Sequence, residues 1–147
     1  MTPVNGRPIE IMLIEDNAGD VRLTQEALKE NKVHNNLRVM RDGESALEYL
    51  NRQDLSAARP DLILLDLNLP GMNGQEVLAK IKSNPETGAI PIVILTTSGA
   101  EEDVARSYSL HANCYVTKPV DLTQFLSIIR SVDSFWLSVV TLPPRDA

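Results

Sequence analysis

Residues 62–74 read LILLDLNLPGMNG, and Asp66 stands alone among apolar neighbours, with Leu62, Ile63, Leu64 and Leu65 before it and Leu67 and Leu69 after it. A lone carboxylate in such a run is costly to bury unless it is paired or bound to a metal. The Pro70-Gly71 pair behind it is a turn signal. The run therefore reads as a short strand with an acid at its carboxyl end. It is continuous rather than alternating, the pattern of a strand covered on both faces, as in a parallel sheet.

Five short apolar runs punctuate the chain: IEIMLI (9–14), NLRVM (36–40), DLILL (61–65), PIVILT (91–96) and NCYVT (113–117). Helical spacing fills the gaps. Residues 18–31 place Val21, Leu23, Ala27 and Leu28 on one face, residues 43–52 do so with Ala46, Leu47 and Leu50, and residues 73–84 with Val77, Leu78 and Ile81. Residues 101–110 open with Glu101, Glu102 and Asp103, which suits a helix N-terminus. Residues 121–140 start with Asp121 and Gln124 at capping-box spacing. Five strands alternating with helices predict βαβ units with right-handed crossovers. The expected class is α/β, a single flavodoxin-like (βα)5 doubly wound parallel sheet in the order 2-1-3-4-5. One domain accounts for residues 1–147: a leader (1–8), a core (9–132) and an extension of the last helix with a tail (133–147).

Composition narrows the function. The 147 residues carry a formal net charge of −6, which argues against nucleic acid as a partner, because phosphate contacts need a basic face. The same charge argues against an anionic membrane surface. The single cysteine, Cys114, allows no internal disulfide and fits a reducing compartment. The N-terminus lacks a signal-peptide layout, and no apolar stretch approaches the roughly 20 residues of a membrane span. A cytoplasmic protein is expected.

The carboxyl ends of the expected strands carry Glu15 and Asp16, then Asp66, then Thr96 and Thr97, then Lys118 before Pro119. In open α/β sheets, ligands bind outside those ends, where the strand order reverses. In a 2-1-3-4-5 sheet that point lies between the first and third strands, so Glu15, Asp16 and Asp66 converge. Three carboxylates in one crevice repel one another, and a hard divalent cation with oxygen ligands, Mg²⁺ above all, relieves the repulsion. Thr96 adds a hydroxyl and Lys118 a positive charge. Together they describe a phosphoryl site. The Asp66 carboxylate attacks phosphorus to give an acyl phosphate, while the cation and Lys118 neutralise the oxygens.

IEDN (14–17), LLDLNLPGMNG (64–74), ILTTS (94–98) and YVTKP (115–119) together resemble the receiver domain of bacterial two-component response regulators, in order and at the usual spacings over about residues 9 to 132. The resemblance implies that Asp66 is the phosphoacceptor and that Asp16 binds Mg²⁺ directly. It implies that Glu15 assists through metal-bound water and that Asn68 offers its backbone carbonyl. Thr96 becomes the switch hydroxyl, Lys118 the contact to a phosphoryl oxygen and Tyr115 the aromatic switch. A sensor histidine kinase becomes the phosphodonor. Such a protein is not an enzyme with a separate substrate; it promotes its own phosphorylation and dephosphorylation. Asn73 departs from the commoner aspartate before Gly74, yet asparagine caps a helix equally well. LHANCY (110–115) and SFWLSVVTLP (134–143) are similar to the small regulators that work with cyanobacterial phytochrome histidine kinases, which implies a phytochrome as partner.

Other residues read plainly. His34 and His111 lack a metal-ligand partner at suitable spacing and read as surface or capping residues, and Cys114 reads as a small buried hydrophobe. In the last helix Leu122, Phe125, Ile129, Val132, Trp136 and Val139 form a stripe for the sheet. Ile128, Phe135 and Leu142 fall elsewhere on the cylinder. The helix is longer and more apolar than a single copy requires, and Phe135, Trp136 and Leu142 are candidates for contact with a second copy, giving a homodimer. The chain ends soon after residue 140, so no DNA-binding output module is expected and signalling would run through protein contacts. Two other readings compete. A Mg²⁺-dependent aspartyl phosphatase usually has a second aspartate two residues after its nucleophile, where this chain has Asn68. An FMN binder needs a hydroxyl- and glycine-rich loop after the first strand, where this chain has the acidic EDNAGD (15–20).

Overall fold

The computed structural model describes residues 8–30, 35–52, 59–97 and 114–118. Along the chain they form β1 (Ile9–Ile14), α1 (Ala18–Glu30), β2 (Asn35–Met40), α2 (Gly43–Leu50), β3 (Leu62–Asp66), α3 (Gly74–Ser83), β4 (Ile92–Thr97) and β5 (Cys114–Lys118). Every strand pair is parallel and the order is β2-β1-β3-β4-β5. This is the doubly wound sheet that the continuous apolar runs call for.

The runs are continuous because the central strands are covered on both sides. Successive side chains of a strand point to opposite faces. In β3, Leu62 and Leu64 pack with Val21, Ala27 and Leu28 of α1. Ile63 and Leu65 pack with Ala46 and Leu50 of α2 and with Val77, Leu78 and Ile81 of α3. Burying each such side chain contributes about 1.5–3 kcal/mol. β2 lies at the sheet's edge, and its burial alternates, with Asn36 and Arg38 exposed. The Arg38 guanidinium lies over the Tyr49 ring, 4.5 Å from its centre, and so covers the edge of the core with an amphipathic side chain.

Several local expectations shift. Leu23, expected on the buried face of α1, is 38% exposed, and Thr24 is buried in its stead. At 100° per residue, Thr24 and Leu28 align with Val21 at i+3 and i+7, while Leu23 lies most of a half-turn away. The buried Thr24 hydroxyl is satisfied by donating to the Asp20 carbonyl at 3.0 Å. In α2 the buried positions are Gly43, Ala46, Tyr49 and Leu50, with Leu47 only partly covered. β3 runs one residue further than its apolar letters, because Asp66 stays in register with Leu95 of β4. β5 likewise includes Lys118, opposite Thr97.

The expected helices at 101–110 and 121–140, His34, His111, the interface candidates Phe135, Trp136 and Leu142, the leader to residue 7 and the 133–147 extension lie outside the described residues. Among the described residues, no helix is long and apolar enough to cross a membrane.

Candidate functional site

β1 and β3 are neighbours with Ile14 opposite Leu65, so the next residue on each, Glu15 and Asp66, emerges at the same carboxyl edge. One carboxylate oxygen each from Glu15, Asp16 and Asp66 lies within 4.8 Å of the others. Glu15 and Asp66 are almost wholly buried, at 0% and 1% exposure, whereas Asp16 faces solvent. The expected convergence of the three acids is therefore present.

Local bonds set each acid in place. The Glu15 amide donates to the Met40 carbonyl at 2.9 Å, which ties the end of β1 to β2. The Glu15 Oε2 accepts from the Asn17 amide at 3.2 Å. Asn17 in turn caps α1, since its Oδ1 accepts from the Asp20 amide at 3.0 Å. Asn17, and not the neighbouring Asp16, is thus the cap, and Asp16 turns to the crevice. On the facing side, Asp66 Oδ1 accepts from the Asn68 amide at 2.9 Å. The crevice is walled by Asp16, Asn17 and Ala18 on one side and by Asp66, Asn68, Leu69 and Pro70 on the other.

The loop beyond Asp66 is held at both ends. Gly71 takes φ +68°, the left-handed region that glycine enters without a Cβ clash. Asn73 caps α3 by accepting from the Glu76 amide at 3.0 Å, as expected of it. The Gly74 amide donates to the Leu67 carbonyl at 3.1 Å, which brings the start of α3 against the end of β3.

The donor set suits a hard divalent cation. Oxygens that share one Mg²⁺ at about 2.1 Å stand no more than roughly 4.2 Å apart, and a ligand bridged by water stands farther. Three carboxylate oxygens within 4.8 Å of one another are close enough to share one such ion, directly or through its water. Two of the three carboxylates are buried and all three stand side by side, a setting in which a cation relieves mutual repulsion.

Thr96, Thr97 and Lys118 reach the same carboxyl edge by register: Thr96 pairs with Thr117, Thr97 with Lys118, and Tyr115 with Ile94. β5 is two strands from β3, roughly 10 Å along the sheet. The sequence does not mark Gly74 or the crevice wall Ala18 as site residues, and Leu69 and Pro70 stand out in it only as an apolar neighbour of Asp66 and part of a turn signal. The walls are simply the chain neighbours of the acids, and the turn signal Pro70-Gly71 was the available clue.

A family model described as the response regulator receiver domain matches residues 11–130. Response regulator Rcp1 of Synechocystis sp. is 47% identical over 145 residues, which is 97% of this chain and 99% of that protein. Among solved structures, the phosphorylated cyanobacterial phytochrome response regulator RcpA is similar with a TM-score of 0.74 at 49% identity, over 92% of this chain and 99% of that one. The Mn²⁺-bound form of Rcp1 gives 0.73 at 48% identity, over the same shares of the two chains.

Proposed function

The chain belongs to the response regulator receiver-domain family, and from that membership we propose that it takes a phosphoryl group onto Asp66 from a sensor histidine kinase, a phytochrome, and relays the signal through protein contacts. The observation that carries the assignment of Asp66 is its setting. It is a buried carboxylate at the end of a central strand, one oxygen held by the Asn68 amide, with Glu15 and Asp16 beside it. The phytochrome as donor is supported by the likeness to Rcp1 and to RcpA, the latter described as a phytochrome response regulator.

In the transfer, an Asp66 oxygen forms a bond to phosphorus as the bond from phosphorus to the donor's histidine nitrogen breaks, and that nitrogen leaves with the electron pair. Asp16 and Asp66, with the Asn68 carbonyl, would hold Mg²⁺, and Glu15 would assist through water on the ion. When bound, the cation supplies positive charge against the crowded carboxylates and the phosphoryl oxygens. Lys118 takes a phosphoryl oxygen from the β5 side. Thr96 and Tyr115 report the new charge: the threonine hydroxyl closes on the phosphoryl group and the tyrosine changes rotamer. The phosphorylated state then has to be favoured by a few kcal/mol to shift the population. Residues 9–132 form the receiver core. The last helix, through Phe135, Trp136 and Leu142, pairs two copies, and the protein works in the cytoplasm as a phosphoacceptor, not as an enzyme acting on separate substrates.

The test is labelling by acetyl phosphate and by a panel of autophosphorylated kinases that includes phytochromes. Acid-labile, Mg²⁺-dependent label is expected on the wild type and none on Asp66→Asn. Full labelling of Asp66→Asn overturns the assignment, and steady turnover of p-nitrophenyl phosphate favours the phosphatase reading.

A further inference from the structure

The three acids come from two strand ends, yet their disposition depends on a residue that carries no charge. Glu15 is fully buried, and its Oε2 accepts the Asn17 amide at 3.2 Å, closing a small ring around Asp16. The position of that amide is fixed in turn by the first turn of α1. Asn17 Oδ1 accepts from the Asp20 amide and the Asn17 carbonyl accepts from the Val21 amide, both at 3.0 Å. Val21 is packed into the core beneath α1. A continuous set of bonds thus runs from the sheet-facing side of α1, through Asn17, to the Glu15 carboxylate, and Asp16 is the residue enclosed by it. Asn17 also lines the crevice.

We propose that Asn17 is a positioning residue for the divalent-cation site: its cap on α1 holds the 15–17 segment so that Glu15 and Asp16 face the ion together. This rests on the reading of the acid cluster as a cation site. The side chain of Asn17 need not touch the ion. Without the cap, the first amides of α1 lose a partner and the turn frays. The amide that orients Glu15 then loosens, and Glu15 and Asp16 lose their shared geometry. Hydrogen-bond partners that orient ligands typically account for 10–100-fold in metal affinity. The coupling is reciprocal, so a cation that favours the ordered turn must also protect it.

The test is a calorimetric titration of the full chain with Mg²⁺ alone, together with amide hydrogen exchange at Asp20 and Val21. Asn17→Ala removes the cap while keeping the backbone amide, and it is expected to bind Mg²⁺ about tenfold more weakly. Asn17→Ser, which restores a capping oxygen, is expected to return to within a factor of about two of the wild type. In the wild type, Mg²⁺ should slow exchange at Asp20 and Val21, and in Asn17→Ala it should do so much less. If Asn17→Ala melts earlier than the wild type but binds Mg²⁺ with unchanged affinity, Asn17 is a helix cap and nothing more. If the wild type itself shows no Mg²⁺ binding at millimolar concentration, the cation reading fails and this proposal goes with it.

Discussion

Gly74 lies directly against Asp66: a β-carbon at residue 74 would stand 2.5 Å from the Asp66 carbonyl oxygen and would also collide with the Leu67 α-carbon. Both obstacles are backbone, which cannot swing aside as a side chain can. Gly74→Ala is therefore expected to push α3 off the end of β3 and to destabilise the fold by about 1–3 kcal/mol, the usual range for overpacking. Urea denaturation measures it. An unchanged midpoint would mean that the helix start has room that the structure denies it.

The acid cluster predicts opposite effects of one substitution with and without cation. Asp16→Asn removes one of three mutually repelling carboxylates, so in chelator the variant should melt at or above the wild-type temperature. Added Mg²⁺ should stabilise the wild type, by about 1.4 kcal/mol at ten times its Kd, and should have little effect on Asp16→Asn. Melting curves in both conditions check the pair. Equal stabilisation of the two proteins would remove Asp16 from the site.

Asp42 gives a pH signature far from the crevice. Its carboxylate caps α2 at Ser45, and hydrogen bonds from the Ser45 amide and then the Ser45 side chain hold its pKa below the ordinary 3.8. A carboxyl whose folded pKa lies below its unfolded value contributes its stability in full above 3.8 and loses it as pH falls through the folded value. Asp42→Asn keeps a capping oxygen but does not titrate. The stability difference between wild type and Asp42→Asn should hold steady above the ordinary carboxylate range and shift against the wild type in more acidic solution. A difference independent of pH would show that the bond to Ser45 does not favour the ionised acid.

Lys82 clamps the loop that leads into β4, donating to the carbonyls of Gly88 at 3.1 Å and Ile90 at 2.8 Å. Lys82→Met keeps the chain's length but leaves both carbonyls without this donor, and should destabilise by about 1–3 kcal/mol. Burial lowers the Lys82 pKa from 10.5. Between the folded and unfolded values the unfolded chain holds more proton, so this residue's contribution to stability rises with pH through that alkaline window. Denaturation of wild type and variant at neutral and alkaline pH reads both effects.

Much of the architecture was legible because it is written in local letters. Residues 62–65 are continuous and apolar since α1 covers one side of β3 and α2 and α3 cover the other. Asp66, Glu15, Asp16, Thr96 and Lys118 could be assigned to strand ends from their place beside such runs. α1 was legible as a helix, but the assignment of Leu23 to its buried face was not correct. Its letters contain both Leu23 and Thr24, and the face that Val21 and Leu28 share is the one that docks on the sheet, which buries Thr24 and leaves Leu23 outside. Asp16 and Asn17 both have capping chemistry, and in the folded chain it is Asn17 whose Oδ1 accepts from the Asp20 amide.

By itself, then, the sequence determined which segments are strands, that they lie parallel beneath helices, and which acids stand at their ends, because period, burial on two faces and turn residues act over a few neighbouring positions. Only the tertiary structure decided that Glu15 and Asp66, fifty-one residues apart in sequence, bring their oxygens within 4.8 Å beside Asp16. It also decided that a β-carbon at residue 74 has no room above them. Those distances follow from the register of β1 on β3, which is set by the packing of the whole sheet and by no stretch of residues taken alone.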